Sequence, residues 1–221
     1  MAFHGDKKEG VWLLANAENK LKNWLVPKVP AKIETYHLTL TTLLWCAMII
    51  FFSFLARHWI HFLWVVSFAI FAQYITDLLD GEVGRRRNTG LIKWGYYMDH
   101  FLDYLFLCSI LIGYGLMVED HNKNLLFYIL ALFGAFMVNS FLSFAATGKF
   151  KISYMGVGPT EVRLIFIIAN ALIVIFASKF EIARVLPIVL AGATFALFVT
   201  VYQTQKMLWK LDMDNKQKAE E

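Results

Sequence analysis

Cysteine is nearly missing from this chain, and the two that occur, Cys46 and Cys108, both fall inside long apolar runs. Isolated thiols in such runs read as small hydrophobes, so a disulfide framework is excluded. No histidine or cysteine pair has the spacing of a zinc site. No proline- or serine-rich linker and no internal repeat divides the sequence, which argues against a second domain. The first 36 residues are too polar to span a bilayer and lack the apolar core and small-residue cleavage site of a signal peptide, so they are expected to be retained. Nucleic acid is not expected as a partner, because the net charge of +4 and the pI near 9.0 have a sufficient explanation in basic loops beside anionic lipid.

What the chain has instead is apolar length. Hydrophobic residues make up 58% of it and the mean hydropathy is +0.53, well above an ordinary soluble composition. A bilayer core needs about 20 residues of helix, and runs near that length lie at roughly 38–56, 59–78, 97–118, 125–146, 162–178 and 183–205. About six transmembrane helices are therefore expected. With short connections between them, the fold class is an all-α membrane protein forming one compact bundle. The expected organisation is a cytoplasmic N-terminal segment over residues 1–36, a transmembrane catalytic domain over residues 37–208 and a polar cytoplasmic tail over residues 209–221.

Lysine and arginine placement orients the bundle. Alternate loops keep only Arg57, Lys123, Lys179 and Arg184, while the other 17 of the 21 basic residues lie on the opposite side with both termini. The positive-inside rule puts that side in the cytoplasm. Before the first span, Leu13, Leu14, Ala17, Leu21, Trp24 and Leu25 recur at helical intervals opposite Asn16, Asn19, Lys20, Lys22 and Asn23. This predicts an amphipathic interfacial helix from Val11 to Val26, ended by Pro27 and Pro30. A helix packed on the cytoplasmic face of the bundle fits the same pattern.

The most informative stretch is Asp77-Leu-Leu-Asp80-Gly81-Glu-Val-Gly84-Arg85, followed by Gly95-Tyr-Tyr-Met-Asp99-His-Phe-Leu-Asp103. Asp77 and Asp80 are three apart and Asp99 and Asp103 four apart, so each pair shares one face of its helix. A charge at mid-bilayer costs about 3 kcal/mol on insertion scales, so acids grouped at the end of apolar helices imply a function and a counter-charge. Carboxylate oxygens are hard ligands that suit Mg²⁺, Mn²⁺ or Ca²⁺, and one or two such cations would leave a site able to hold a diphosphate. A transporter using buried acids is a second reading, but it would spread them over several spans near the midplane. A structural membrane protein with aspartates solvated at the surface is a third.

The segment from Asp77 to Asp103 resembles the signature of the CDP-alcohol phosphotransferase (CDP-alcohol phosphatidyltransferase) family, D-x-x-D-G-x-x-A-R, about eight residues, then G-x-x-x-D-x-x-x-D. Gly84 stands where the pattern has alanine, and nine residues separate Arg85 from Gly95. The resemblance implies a metal-dependent enzyme of phospholipid synthesis. Such an enzyme displaces CMP from a CDP-linked donor by attack of an alcohol on the β-phosphorus, one of the two substrates being a lipid. It implies Asp77, Asp80, Asp99 and Asp103 as metal ligands, Asp103 also as the base, and a homodimer. Thr39, Asp77, Gly81, Gly84 and Arg85 become candidates for contacting the nucleotide, although Arg85-Arg86-Arg87 also reads as a topology signal and Thr39 as a helix-start hydroxyl.

Thr160-Glu161-Val, Asp99-His100 and the Trp24–Pro30 segment are similar to the choline and ethanolamine phosphotransferase branch, whose donor is a CDP-amino alcohol and whose acceptor is diacylglycerol. Glu161 is then a candidate for orienting substrate, or an N-terminal helix acid. The alternative is a CDP-diacylglycerol-dependent transfer to a polar alcohol such as glycerol phosphate, inositol phosphate or serine. A phosphorylated acceptor would want Lys149, Lys151 or Arg163 nearby. The short chain is closer to prokaryotic members, which favours a bacterial inner membrane over the endoplasmic reticulum.

Overall fold

A computed structural model of the chain describes residues 8–9, 14–118, 120–148, 150–151, 158–176 and 182–220. Among the described residues, seven α-helices follow one another: α1 (Ala15–Leu25), α2 (Thr35–Ala56), α3 (Leu63–Arg87), α4 (Ile92–Met117), α5 (Asp120–Thr147), α6 (Pro159–Ile175) and α7 (Ile182–Glu220). Two-residue strands, β1 (Lys8–Glu9) and β2 (Phe150–Lys151), pair in parallel. The protein is an all-α membrane protein. Among the described residues, five helices are long and apolar enough to cross a bilayer: Thr35–Ala56, Ile60–Arg87, Ile92–Met117, Asn122–Thr147 and Val185–Glu220. The expected span at 162–178 is the 17-residue α6, at the lower edge of what crosses a hydrocarbon core, so the six expected spans become five long ones and one short one. The α7 helix continues through the polar residues up to Glu220.

The inner face of α2 explains how the helices meet. Thr35, Leu38, Thr39, Thr42, Cys46, Ile49, Ser53 and Ala56 are its buried positions, recurring at three- and four-residue intervals. Most are small or carry hydroxyls. Between helices already surrounded by lipid, association comes from close packing and interhelical hydrogen bonds rather than from the hydrophobic effect, and small residues permit both. Gly113 on α4 is the tightest such point, since a Cβ there would lie 2.5 Å from Ser53 Oγ and 3.0 Å from Ser53 Cβ. Larger side chains fill the centre, with Ile49, Leu63, Ala69 and Ile70 fully buried beside Phe106, Ile110 and Ile173. Outward positions hold Phe51, Phe68, Leu142, Ile168, Phe195 and Phe198, all exposed, as a lipid-facing surface requires.

Polar groups inside the bundle are tied across helices. Tyr114 Oη of α4 donates to Asn170 Oδ1 of α6 at 2.8 Å, and Asn170 Nδ2 donates to Ser67 Oγ of α3 at 3.1 Å. Trp45 Nε1 reaches Thr76 Oγ1 at 3.2 Å, joining α2 to α3.

The N-terminal helix begins at Ala15, and residues 11–13 of its expected range lie outside the described residues. No side chain of α1 is fully buried, and its N-terminal end is held by polar contacts to α6. Leu14 N–H donates to Glu161 Oε1 at 3.1 Å and Thr160 Oγ1 donates to Glu18 Oε2 at 2.7 Å. A turn of 3₁₀ helix at Val26–Lys28, with Pro27 in it, ends the segment as the prolines predict. Exposed Trp24 carries the Lys28 ammonium 3.0 Å from its ring centroid.

Replacing Gly113 by valine should separate α2 from α4 and lower stability by about 1–3 kcal/mol, seen as a lower Tm in detergent. Gly115→Ala, whose new methyl has Leu126 Cδ1 at 3.9 Å as its one neighbour within 4 Å among the described residues, should leave the melting temperature near that of the unmodified protein.

Candidate active site

The α3 helix carries Asp77 and Asp80 toward its C-terminal end, and α4 carries Asp99 and Asp103 within its first turns. The chain reverses between them through Asn88, a left-handed C-cap at φ 51°, and Gly90 at φ 73°. This antiparallel return brings the two acidic faces to one end of the bundle. A single nitrogen joins them: Arg163 Nη2 of α6 lies 2.9 Å from Asp77 Oδ2 and 2.9 Å from Asp103 Oδ1. Its Nε donates to Gln73 Oε1 at 2.8 Å, and Phe106 lies 5.5 Å beneath its guanidinium carbon. Both Gln73 and Arg163 are buried, so these are charge-assisted contacts in a low-dielectric setting.

Asp80 is also buried and is held from α2. Thr39 Oγ1 donates to Asp80 Oδ2 at 2.9 Å and Thr35 Oγ1 donates to the Asp80 carbonyl at 2.6 Å. The amide of Gly81 donates to the remaining oxygen, Asp80 Oδ1. On α4, one ligand atom each from Asp99, His100 and Asp103 fall within 4.8 Å of one another. His100 Nδ1 lies 3.4 Å from Asp99 Oδ2. His100 sits among aromatic rings, with the centroid of Tyr96 at 4.5 Å and that of Phe141 at 5.5 Å, and Phe144 lies 5.3 Å beyond Tyr96. The oxygens of Asp99 and Asp103 with the His100 imidazole are donors that suit a divalent cation.

The other expected residues are distributed as follows. Gly84 packs on α2, where a Cβ would meet Thr35 Oγ1 at 3.3 Å, and Gly81 is exposed beside the Arg85 guanidinium. The arginine run splits into separate tasks. Arg85 and Arg86 both bind Glu82, at 2.9 Å each, and Arg86 reaches Asn23 Oδ1 of α1 at 2.8 Å. Arg87 turns back to the lead-in segment and donates to the carbonyls of Val29 at 2.9 Å, Pro30 at 3.2 Å and Ile33. Glu161 takes Gly158 N–H at 2.9 Å as well as the amide of Leu14, so both carboxylate oxygens serve the start of α6 and the anchoring of α1. Lys149 lies outside the described residues, as does the side chain of Lys151.

Gln73 and His100 were not among the sequence candidates for the site. Gln73 had a signal, being a polar residue one turn before Asp77 on an otherwise apolar stretch.

The comparison that decides the class is with protein families. Residues 36–203 match the family model described as CDP-alcohol phosphatidyltransferase, which covers most of the chain and both acidic pairs. The protein is a member of the CDP-alcohol phosphatidyltransferase family. No curated protein and no solved structure matches the chain. As a CDP-alcohol phosphatidyltransferase it is a transferase of substituted phosphate groups, an integral membrane protein of phospholipid synthesis that works on a CDP-linked compound and an alcohol, one of them a lipid. Divalent-metal use is a property of the family, and the Asp99, His100 and Asp103 group fits that chemistry.

The Arg87 clamp yields a direct test. Arg87→Gln should release the backbone carbonyls of the lead-in segment and cost about 1.5–3 kcal/mol, the range for hydrogen bonds to a charged group. Arg85→Gln, at a largely exposed side chain, should shift stability by less than about 0.5 kcal/mol. Paired thermal melts of the two variants check both expectations.

Proposed function

We propose that Asp77, Asp80, Asp99 and Asp103 hold one or two divalent cations, Mg²⁺ or Mn²⁺, at the cytoplasmic face, and that Asp103 accepts the proton of the attacking alcohol. The reading is supported above all by the convergence of the α3 and α4 carboxylates on the single nitrogen of Arg163. Carboxylates from two helices drawn to one positive centre are a ligand set already assembled. When bound, the cation would supply electrostatic stabilisation of the diphosphate and of the departing CMP.

The chain's own groups account for the rest. Thr39 and the Gly81 amide fix the rotamer of Asp80, so one acid is held before substrate arrives. The alcohol oxygen forms a bond to the β-phosphorus of the donor while the bond from that phosphorus to the CMP oxygen breaks. The hydroxyl proton passes to the Asp103 carboxylate, which returns it to water after CMP leaves. Gly81, exposed beside Asp80, leaves room for the nucleotide, Gly84 lets α3 lie close against Thr35 of α2, and Arg85, exposed at the same turn, would meet the nucleotide's phosphates.

The preferred donor is a CDP-amino alcohol, CDP-choline or CDP-ethanolamine, with diacylglycerol as acceptor. Tyr96, Phe141 and Phe144 around His100, next to Asp99, offer the aromatic faces and negative charge that suit an ammonium head group. We further assign residues 1–36 to a cytoplasmic cap, residues 37–208 to the catalytic domain and residues 209–221 to a cytoplasmic extension, in a homodimer of a bacterial inner membrane.

The test is purified protein in lipid nanodiscs with Mg²⁺ or Mn²⁺, offered CDP-choline, CDP-ethanolamine and CDP-diacylglycerol in turn with diacylglycerol, glycerol phosphate, inositol phosphate or serine. CMP and the lipid product are scored. CMP release is expected with the amino-alcohol donors plus diacylglycerol and should stop with chelator, and Asp103→Asn should reduce it by about 10²–10⁴-fold. Turnover with CDP-diacylglycerol alone would move the assignment to phosphatidyl transfer. Silence with every donor would contradict the proposal.

A further inference from the structure

The contact of Arg163 with Asp77 and Asp103 has an unusual form for a buried ion pair. One terminal nitrogen serves two carboxylates on two different helices, at 2.9 Å each, while Nε is held at 2.8 Å by Gln73. The guanidinium therefore stands between α3 and α4, in contact with one acid of each pair. Arg163 is 6% exposed and Gln73 fully buried, and Gln73 Nε2 has no hydrogen-bond partner among the described residues. The amide thus spends its oxygen on Arg163 and leaves its own donor unsatisfied. That unsatisfied donor is a cost the contact with Arg163 is made against.

Resting on the reading that these aspartates bind a divalent cation, we propose that Arg163 is the resident counter-charge of the metal-free protein, and that metal binding must displace its Nη2 from Asp77 and Asp103. Carboxylates gathered in a low-dielectric site repel one another strongly, and a positive group among them keeps the helix ends together when no metal is bound. A magnesium-type cation demands carboxylate oxygens at about 2.0–2.1 Å in a fixed octahedral geometry, which a donor nitrogen lying between those same oxygens obstructs. The guanidinium cannot lose its proton, so it gives way by moving. Gln73 keeps the arginine close by through Nε, so the displacement is a pivot and not an unfolding. The protein gains order without metal and gives up part of its metal affinity in exchange.

The experiment measures Mn²⁺ binding to detergent-purified protein by the loss of the free-ion electron paramagnetic resonance signal, together with melting in EDTA and in Mn²⁺. Arg163→Gln should bind Mn²⁺ at least about tenfold more tightly than the unmodified protein, because a full positive charge a few ångströms away has been removed. The same variant should melt lower in EDTA, with the deficit closing when Mn²⁺ is added. Arg163→Lys, which keeps the charge, should bind Mn²⁺ within about threefold of the unmodified protein. Should Arg163→Gln fail to fold in EDTA, Gln73→Leu decides, since freeing the arginine from its anchor should also tighten Mn²⁺ binding. Unchanged or weaker binding in the deciding variant would overturn the proposal. No Mn²⁺ binding by the unmodified protein would instead overturn the metal-site reading on which it rests.

Discussion

Carboxylates carried on neighbouring helices to one end of an apolar bundle repel one another, and the way this protein answers that repulsion organises the rest of its structure. Asp77 and Asp103 are drawn to Arg163, while Asp80 is bound by Thr39 and the Gly81 amide. Each of these partners comes from a different part of the fold. The acids are therefore a junction at which α2, α3, α4 and α6 are joined, and a ligand that alters their charge acts on all four helices.

The apolar architecture supports this junction from below. Small and hydroxyl-bearing residues let α2 lie close against α3 and α4, and the Tyr114–Asn170–Ser67 chain fixes α6 against the same pair. That register is what places Arg163 level with Asp77 and Asp103. From above, Arg87 holds the segment that leads into α2 and so sets where Thr35 and Thr39 meet Asp80. Glu161 secures the start of α6 and the N-terminal helix together. Two charged residues of the conspicuous motifs thus act on the backbone, which is how a site at a membrane boundary is made rigid.

Much of this was legible in the sequence because it depends on periodicity. The apolar runs, the prolines after α1 and the three- and four-residue spacing of the aspartates are local patterns with direct structural consequences. The run at 162–178 has the same 17 residues as α6 but is set three residues late, because Pro159, Thr160 and Glu161 form the first turn of the helix and carry no hydropathy signal. The partners of the acids were harder to see. Arg163 lies 60 residues from Asp103 and 86 from Asp77, and which long-range pairs form is set by helix packing that no local spacing encodes. Likewise, Arg85, Arg86 and Arg87 are indistinguishable as a run of charge, yet their successive 100° rotations around α3 send the first two to Glu82 and the third to backbone carbonyls.

The central claim is that the two acidic faces make one cation site. It is tested most directly by determining the structure of the protein crystallised in lipid with Mn²⁺ and locating the ion by its anomalous scattering. The account predicts density bounded by the carboxylates of Asp77, Asp80, Asp99 and Asp103. Anomalous density elsewhere on the molecule, with those four side chains unliganded at saturating Mn²⁺, would contradict it.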